Sequence, residues 1–362
     1  MSKSFEKQRL WGHLACSVVL LCAAGLLVPP AVLAAETDSA ERRIPLGPLA
    51  SHNLHPLYAP FLQLSPLPAR TVGENTVATF IVASYGNNYF YDPPNGEHED
   101  LSVILDSEAA YTNVGITWGV HPRAEVNASL QTVAHFGGVF DPGIESYHRL
   151  LGLPNAGRHE RPANHLRFYF ETAEEVILDE HAPVVDITAL LLEPRVQLYG
   201  AEAESPAALS LAAAVKLPLA SPSVVLTSGG ADIAVRLMGA YTWPRLALTA
   251  GVGAAYLSRP EYIPEDAFTP WVAPFHFSAE WMATEQFSFL TAVNGTTSPF
   301  ELGYRRSDRF SAIALFGGGL AVNRRLTLQA AMGQEFFTFA ATDVGLHVSL
   351  RYRFAERWEP RG

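Results

Sequence analysis

From Asp343 to Phe354 the side chains alternate strictly. Val344, Leu346, Val348, Leu350, Tyr352 and Phe354 are apolar, and Asp343, Gly345, His347, Ser349, Arg351 and Arg353 fill the places between. Successive side chains of a strand point to opposite faces, so this segment predicts a strand lying between two unlike media. Trp271, Ala273, Phe275, Phe277, Ala279, Trp281 and Ala283 form a second apolar face, opposite Pro274, His276, Ser278 and Glu280. A soluble sandwich alternates in the same way with its apolar face turned to the core. The aromatic spacing favours a membrane wall instead. Trp271 and Trp281 stand ten residues apart, about 33 Å along a strand and about 25 Å across a bilayer at a tilt of about 40°, which is the height of the apolar band between the two girdles of a membrane barrel. Trp243, Tyr256, Trp271, Trp281, Tyr352 and Phe354 are the expected lipid-interface anchors.

Twelve periodic segments follow one another, at residues 76–91, 101–120, 123–137, 186–200, 206–218, 231–242, 245–257, 271–283, 286–297, 309–322, 325–337 and 343–354. Every second connection is brief, as at His121-Pro122, Trp243-Pro244, Thr284-Glu285 and Asn323-Arg324, and most of the others are long and rich in Pro, Gly and acid. Short turns on one side and long loops on the other are the habit of bacterial outer-membrane barrels. The expected fold class is all-β, a transmembrane antiparallel β-barrel of about twelve strands. In the 48-residue stretch 138–185 a short helix is expected near residues 144–151 and a hairpin outside the membrane at residues 165–179.

Composition narrows the class. Of 362 residues 48% are hydrophobic and only 17% charged, and the formal net charge of −11 argues against nucleic acid as a partner, since phosphate binding needs a basic face. Lys3, Lys7 and Arg9 precede an apolar run over residues 14–27 that ends in Ala31, Ala34 and Ala35, the pattern of an export signal cut after Ala34. Both cysteines, Cys16 and Cys22, fall inside that run, so the exported chain is expected to carry no disulfide and no thiolate site. The expected organisation is a signal peptide at 1–34, a Pro-rich tether or plug at 35–74, a barrel at 75–354 and a tail at 355–362.

The opening Gly47-Pro48-Leu49 to Asn53, His55-Pro56-Leu57 and Pro60-Phe61-Leu62, the loop Phe140-Asp141 through Glu145, His148, Gly152-Leu153-Pro154 and Gly157-Arg158, and the ending from Leu346 to Phe354 resemble the proteobacterial outer-membrane family catalogued as domain of unknown function (DUF) 3187. The resemblance covers most of residues 44–354. It implies a barrel and an outer-membrane address, and it brings no activity or catalytic residues. Eight residues follow Phe354, a departure from the aromatic terminus that barrel-assembly machinery reads.

Candidate functional groups are therefore the inward ones. Alternation turns Glu125 and Asn127, Glu193 and Arg195, Lys216, Asp232 and Arg236, Arg245, His276 and Glu280, Arg325 and Glu335, and His347, Arg351 and Arg353 toward the lumen. Both signs occur, which argues against a funnel for one ion charge. Twelve strands lie between eight, which enclose little more than side chains, and sixteen, which leave a channel, so a narrow or plugged passage is expected. The inward groups either satisfy one another within the wall or line a path for a small polar or amphipathic solute. Six prolines between Pro45 and Pro68 exclude a regular helix or central strand from the preceding segment. Its apolar Leu57, Tyr58, Phe61 and Leu62 favour packing on or inside the barrel.

In the long loop, Glu145, His148 and Arg158 gather ionisable types that acid/base or metal chemistry would use, and a structural loop cap accounts for them equally well. Acidic Asp92, Glu97, Glu99 and Asp100, with Glu261, Glu265 and Asp266, suit a solvated rim, or divalent cations beside lipopolysaccharide phosphates. No cofactor or metal is expected. The function expected is a narrow porin-like or transport channel or an envelope-structural barrel, monomeric, with outer-membrane lipid, lipopolysaccharide and the assembly machinery as partners. The alternative is a hydrolase acting on phospholipid or lipopolysaccharide, which needs Ser and His together near an outward rim.

Overall fold

The structure is a computed structural model that describes residues 44–92, 101–152, 162–172, 176–201, 205–223, 225–301, 308, 310–335 and 340–354. In chain order the strands are β1 (Val77–Asp92), β2 (Leu101–His121), β3 (Ala124–Phe136), β4 (Arg167–Thr172), β5 (Val176–Glu180), β6 (Val184–Tyr199), β7 (Ala207–Pro218), β8 (Asp232–Thr242), β9 (Leu246–Tyr256), β10 (Trp271–Val272), β11 (Phe275–Met282), β12 (Phe287–Thr296), β13 (Ser311–Ala321), β14 (Leu326–Glu335) and β15 (Val344–Arg353). One helix, α1 (Asp141–Leu151), lies between β3 and β4.

Twelve strands pair antiparallel in the circular order β1, β2, β3, β6, β7, β8, β9, β11, β12, β13, β14, β15, and β1 pairs with both β2 and β15, so the wall has no free edge. β10 continues the register of β11 against β9 across Ala273 and Pro274. The β4–β5 hairpin attaches to the first residues of β2, beyond the closed wall.

The wall is inverted relative to a water-soluble protein. On β8, Ile233, Val235 and Leu237 are 51%, 54% and 40% exposed, whereas Asp232 and Arg236 are buried. Water-soluble folds keep large contiguous apolar surface inside. Exposed apolar residues on every wall strand, around a buried polar interior, are what a hydrocarbon surrounding selects, and full closure leaves no strand edge unpaired there. The wall connections at residues 122–123, 200–206, 243–245, 283–286 and 322–325 are short and lie at one end, the turn side; the long ones lie at the loop side.

Three irregularities mark β6, one of them a register shift against β7 between Gln197 and Tyr199. The β3–β6 register shifts between Gln131 and Thr132, a bulge at Thr188. The β6–β7 register pairs Leu192 with Val215 and resumes at Arg195 with Ala212, stepping over Glu193 and Pro194. No register shift interrupts β13 against β12 or β14. At the loop side, Glu108 accepts hydrogen bonds from Val139 N (2.9 Å) and Phe140 N (2.5 Å), fastening the start of α1 to the rim. Gly152, at φ +67°, lets the chain leave the helix in the left-handed conformation that L side chains avoid.

Candidate functional site

The interior is occupied by the chain's own residues 44–76. Their six prolines remove N–H donors and hold the backbone extended, leaving carbonyls with no ladder to join. Buried backbone polar groups must find partners, and here the inward side chains supply them.

A first limb rises from the turn side. Leu46 N and Gly47 N donate to the Glu280 carboxylate at 2.9 and 3.1 Å, and Gln329 Nε2 donates to Gly47 O at 2.9 Å. Higher up, Asn294 Nδ2 donates to Ser51 Oγ at 2.7 Å, and Leu54 N donates to Thr342 Oγ1 at 2.8 Å. The chain turns over residues 55–61, where Tyr58 N and Ala59 N both donate to His55 O. A second limb then descends. Leu62 N donates to Asp232 at 2.8 Å, Arg236 Nη1 to Ser65 O at 2.6 Å, Arg195 to Pro68 O and Arg70 O, and Val72 N to Glu125 at 2.7 Å. Gln63 ties the limbs together, accepting from Asn53 N at 2.7 Å and donating to Asn53 O at 2.8 Å.

The second limb is clasped by a ladder of buried ion pairs: Lys216 with Asp232 at 3.3 Å, Arg236 with Glu193, and Arg195 with Glu125 at 2.5 Å. Each cation also donates to a carbonyl of the limb, Lys216 to that of Pro60. Every charge in the ladder thus has an opposite charge, and all but Glu193 have a main-chain partner as well, the condition under which buried charge is tolerated. At the loop side the tip is apolar. Tyr58 meets Phe300 edge-on at 5.7 Å between centroids, Phe61 lies 5.7 Å from Phe268, and Ile263 and Leu257 complete the cluster. His52 stacks on Tyr111 at 3.8 Å.

The structure buries the inward candidates Glu125, Asn127, Glu193, Arg195, Lys216, Asp232, Arg236, His276, Glu280 and His347, and it leaves Arg351, Arg353 and Glu335 half-buried on the same faces. Arg245 and Arg325 differ from the expectation. They sit in the turns before β9 and β14, Arg245 exposed and Arg325 half-buried, because alternation was extended past the first paired residue of each strand. Among the anchors, Trp271, Trp281, Tyr256 and Phe354 are exposed on the outer wall, and Trp243 and Tyr352 are half-exposed. Tyr256 meets Trp271 edge-on at the loop side, and Trp281 stacks on Phe289 at the turn side.

Glu145 and His148 lie on α1, both half-buried; Glu97, Glu99, Asp100, Arg158 and residues 1–34, the expected signal peptide, fall outside the described residues. Among the described residues no three His, Cys, Asp or Glu side chains converge as a metal site. Ser84 Oγ and His347 Nδ1 lie 2.8 Å apart, but the pair faces the filled lumen, and His347 Nε2 has no partner among the described residues. Sequence reasoning missed the part that Gln329, Asn294 and Thr342 play in holding the segment, because uncharged polar types at inward places carry no signal that separates a backbone clamp from ordinary lining.

Solved outer-membrane structures resemble the chain at low sequence identity. The COG4313 outer membrane channel from Pseudomonas putida F1 is 10% identical over 81% of this chain and 100% of its own, with a TM-score of 0.49. The KdgM porin in complex with disordered oligogalacturonate is 4% identical over 76% and 99%, at 0.41. A Pseudomonas aeruginosa FadL homologue is 11% identical over 86% and 99%, at 0.37. None of the curated proteins compared with the chain matches it. A family model described as protein of unknown function (DUF3187) matches residues 24–354, nearly the whole length, and the chain belongs to that family.

Proposed function

We propose that the protein is an outer-membrane channel whose passage is stoppered by residues 44–76 and opens when that segment shifts. One observation carries the reading. The stopper contributes no strand to the wall, and wall side chains hold it through hydrogen bonds and apolar contacts. Apart from Asn75 and Thr76, whose main chain bonds that of Gly119 on β2, such a segment can move without breaking the closed ladder, whereas a barrel serving only as scaffold gains nothing from a separable filling. In this reading residues 1–34 direct export, the assembly machinery inserts the barrel as a monomer, and the exposed belt contacts lipid and lipopolysaccharide.

The test is conductance in planar bilayers of the full chain and of a variant lacking residues 45–71. The full chain is expected to be closed for most of the record with rare small steps, and the deletion to show frequent, larger ones. Silence of a deletion variant that has inserted, shown by heat-modifiable migration, would reject the channel.

A further inference from the structure

Between the two limbs and the wall formed by β1–β3, β6, β14 and β15 lies a cavity of about 70 Å³. Since about 10–15 Å³ of such space admits one water, it holds on the order of five waters or one small organic molecule. Arg351, inward on β15, reaches it. Unlike Lys216, Arg236 and Arg195, Arg351 has no carboxylate within ion-pair distance and no hydrogen bond from its guanidinium among the described residues. The nearby acids are already engaged: Glu125 by Arg195 and Val72 N, Glu193 by Arg236, and Glu280 by Leu46 N and Gly47 N.

Glu193 also lines the cavity, its carboxylate held by Arg236, and the rest of the lining divides in two. Leu46, Leu64, Pro66, Phe80 and Val82 are apolar. Ser65 and Asn113 are polar and uncharged, and Ser65 Oγ and Asn113 Oδ1 are buried with no hydrogen-bond partner among the described residues. A sequestered guanidinium lacking its own counter-charge calls for an anion, and its planar fork matches a carboxylate. The apolar majority of the lining disfavours an anion that is polar all round, such as inorganic phosphate.

We infer that this cavity binds a small amphipathic organic carboxylate, whose charged end pairs with Arg351, whose apolar body lies against Phe80, Leu64 and Pro66, and to which Ser65 Oγ can donate. The binding stands on the cavity alone; its consequence, that such acids are the solutes that pass, rests on the channel reading.

The test uses the full-length protein in nanodiscs, with empty nanodiscs as blank, and equilibrium dialysis against benzoate, benzyl alcohol, benzylamine and inorganic phosphate. Saturable benzoate binding at least tenfold tighter than that of the other three is expected. Arg351→Gln should weaken it tenfold or more, Arg351→Lys should keep part of the preference, and Arg245→Gln, in an exposed turn, should change nothing. Absence of saturable benzoate binding, equal binding of benzyl alcohol or phosphate, or full binding by Arg351→Gln would each overturn the site. Should Arg351→Gln lose heat-modifiable migration, Leu64→Trp, which fills the cavity without touching charge, is expected to abolish benzoate binding, and retention would overturn the site equally. A silent plug deletion together with benzoate binding rejects the channel and keeps the site; a conducting deletion without benzoate binding in the full chain does the reverse.

Discussion

Glu193 shows how one residue serves two structures. It sits in the place that Pro194 excludes from the β6–β7 ladder, and its carboxylate holds Arg236, which in turn donates to Ser65 O of the stopper. Removing one member of a buried pair strands the other, at a cost of about 3–5 kcal/mol. Glu193→Ala should therefore lower the urea midpoint of the folded barrel in detergent by an equivalent amount and raise the open probability in bilayers. A loss under about 1 kcal/mol would mean that water reaches Arg236 freely. At this scale the residue types were legible and their partners were not. Alternation turned Glu193 and Arg236 inward, but neither it nor the proline count could pair Arg236 with the carbonyl of Ser65, 171 positions away.

Among the elements, the wall strands are the ones a period of two describes well, because each meets hydrocarbon on one face and packed polar groups on the other. The consequence is directional. Val235→Arg, near the middle of β8 and exposed to the surrounding medium, should cost about 2–4 kcal/mol if that medium is lipid. Refolding titrations into vesicles would measure it, and a neutral result would place water there. β11 carries a weaker point. Gly253 N donates to Pro274 O at 2.8 Å, and proline has no N–H to return the bond. The stopper's bend is another element with a local key, since the Asn53 side chain accepts through Oδ1 from His55 N at 3.0 Å and from Thr342 N at 3.1 Å. Asn53→Ala is expected to loosen the bend, read as faster labelling of a cysteine at Ala59, which is buried. Unchanged labelling would show that the apolar cluster around Tyr58 and Phe61 suffices.

Taken together, the barrel encloses a non-periodic segment that it holds from all round, so protection should not be confined to the ladder. Hydrogen exchange is expected to be slow at Leu46, Gly47, Leu54, Leu62 and Val72, whose N–H groups donate to Glu280, Thr342, Asp232 and Glu125, at rates approaching those of the wall. Exchange at those amides as fast as in an unstructured peptide would mean the stopper spends most of its time undocked. The strand count, the sides of the turns, the hairpin on β2, the helix near residue 144 and the outward tryptophans were all written in short-range periodicity and turn chemistry, which need only a few neighbouring residues to be read. The path of residues 44–76 was not, because extended proline-rich backbone has no face to alternate and its partners lie up to 289 positions away in contacts such as Asn53 with Thr342. The alternation of this chain was enough to decide which side chains meet hydrocarbon and which are enclosed. Only the closed wall could decide what the enclosed ones hold, since a lumen exists only after the last strand pairs with the first and brings distant polar groups around one unsatisfied backbone.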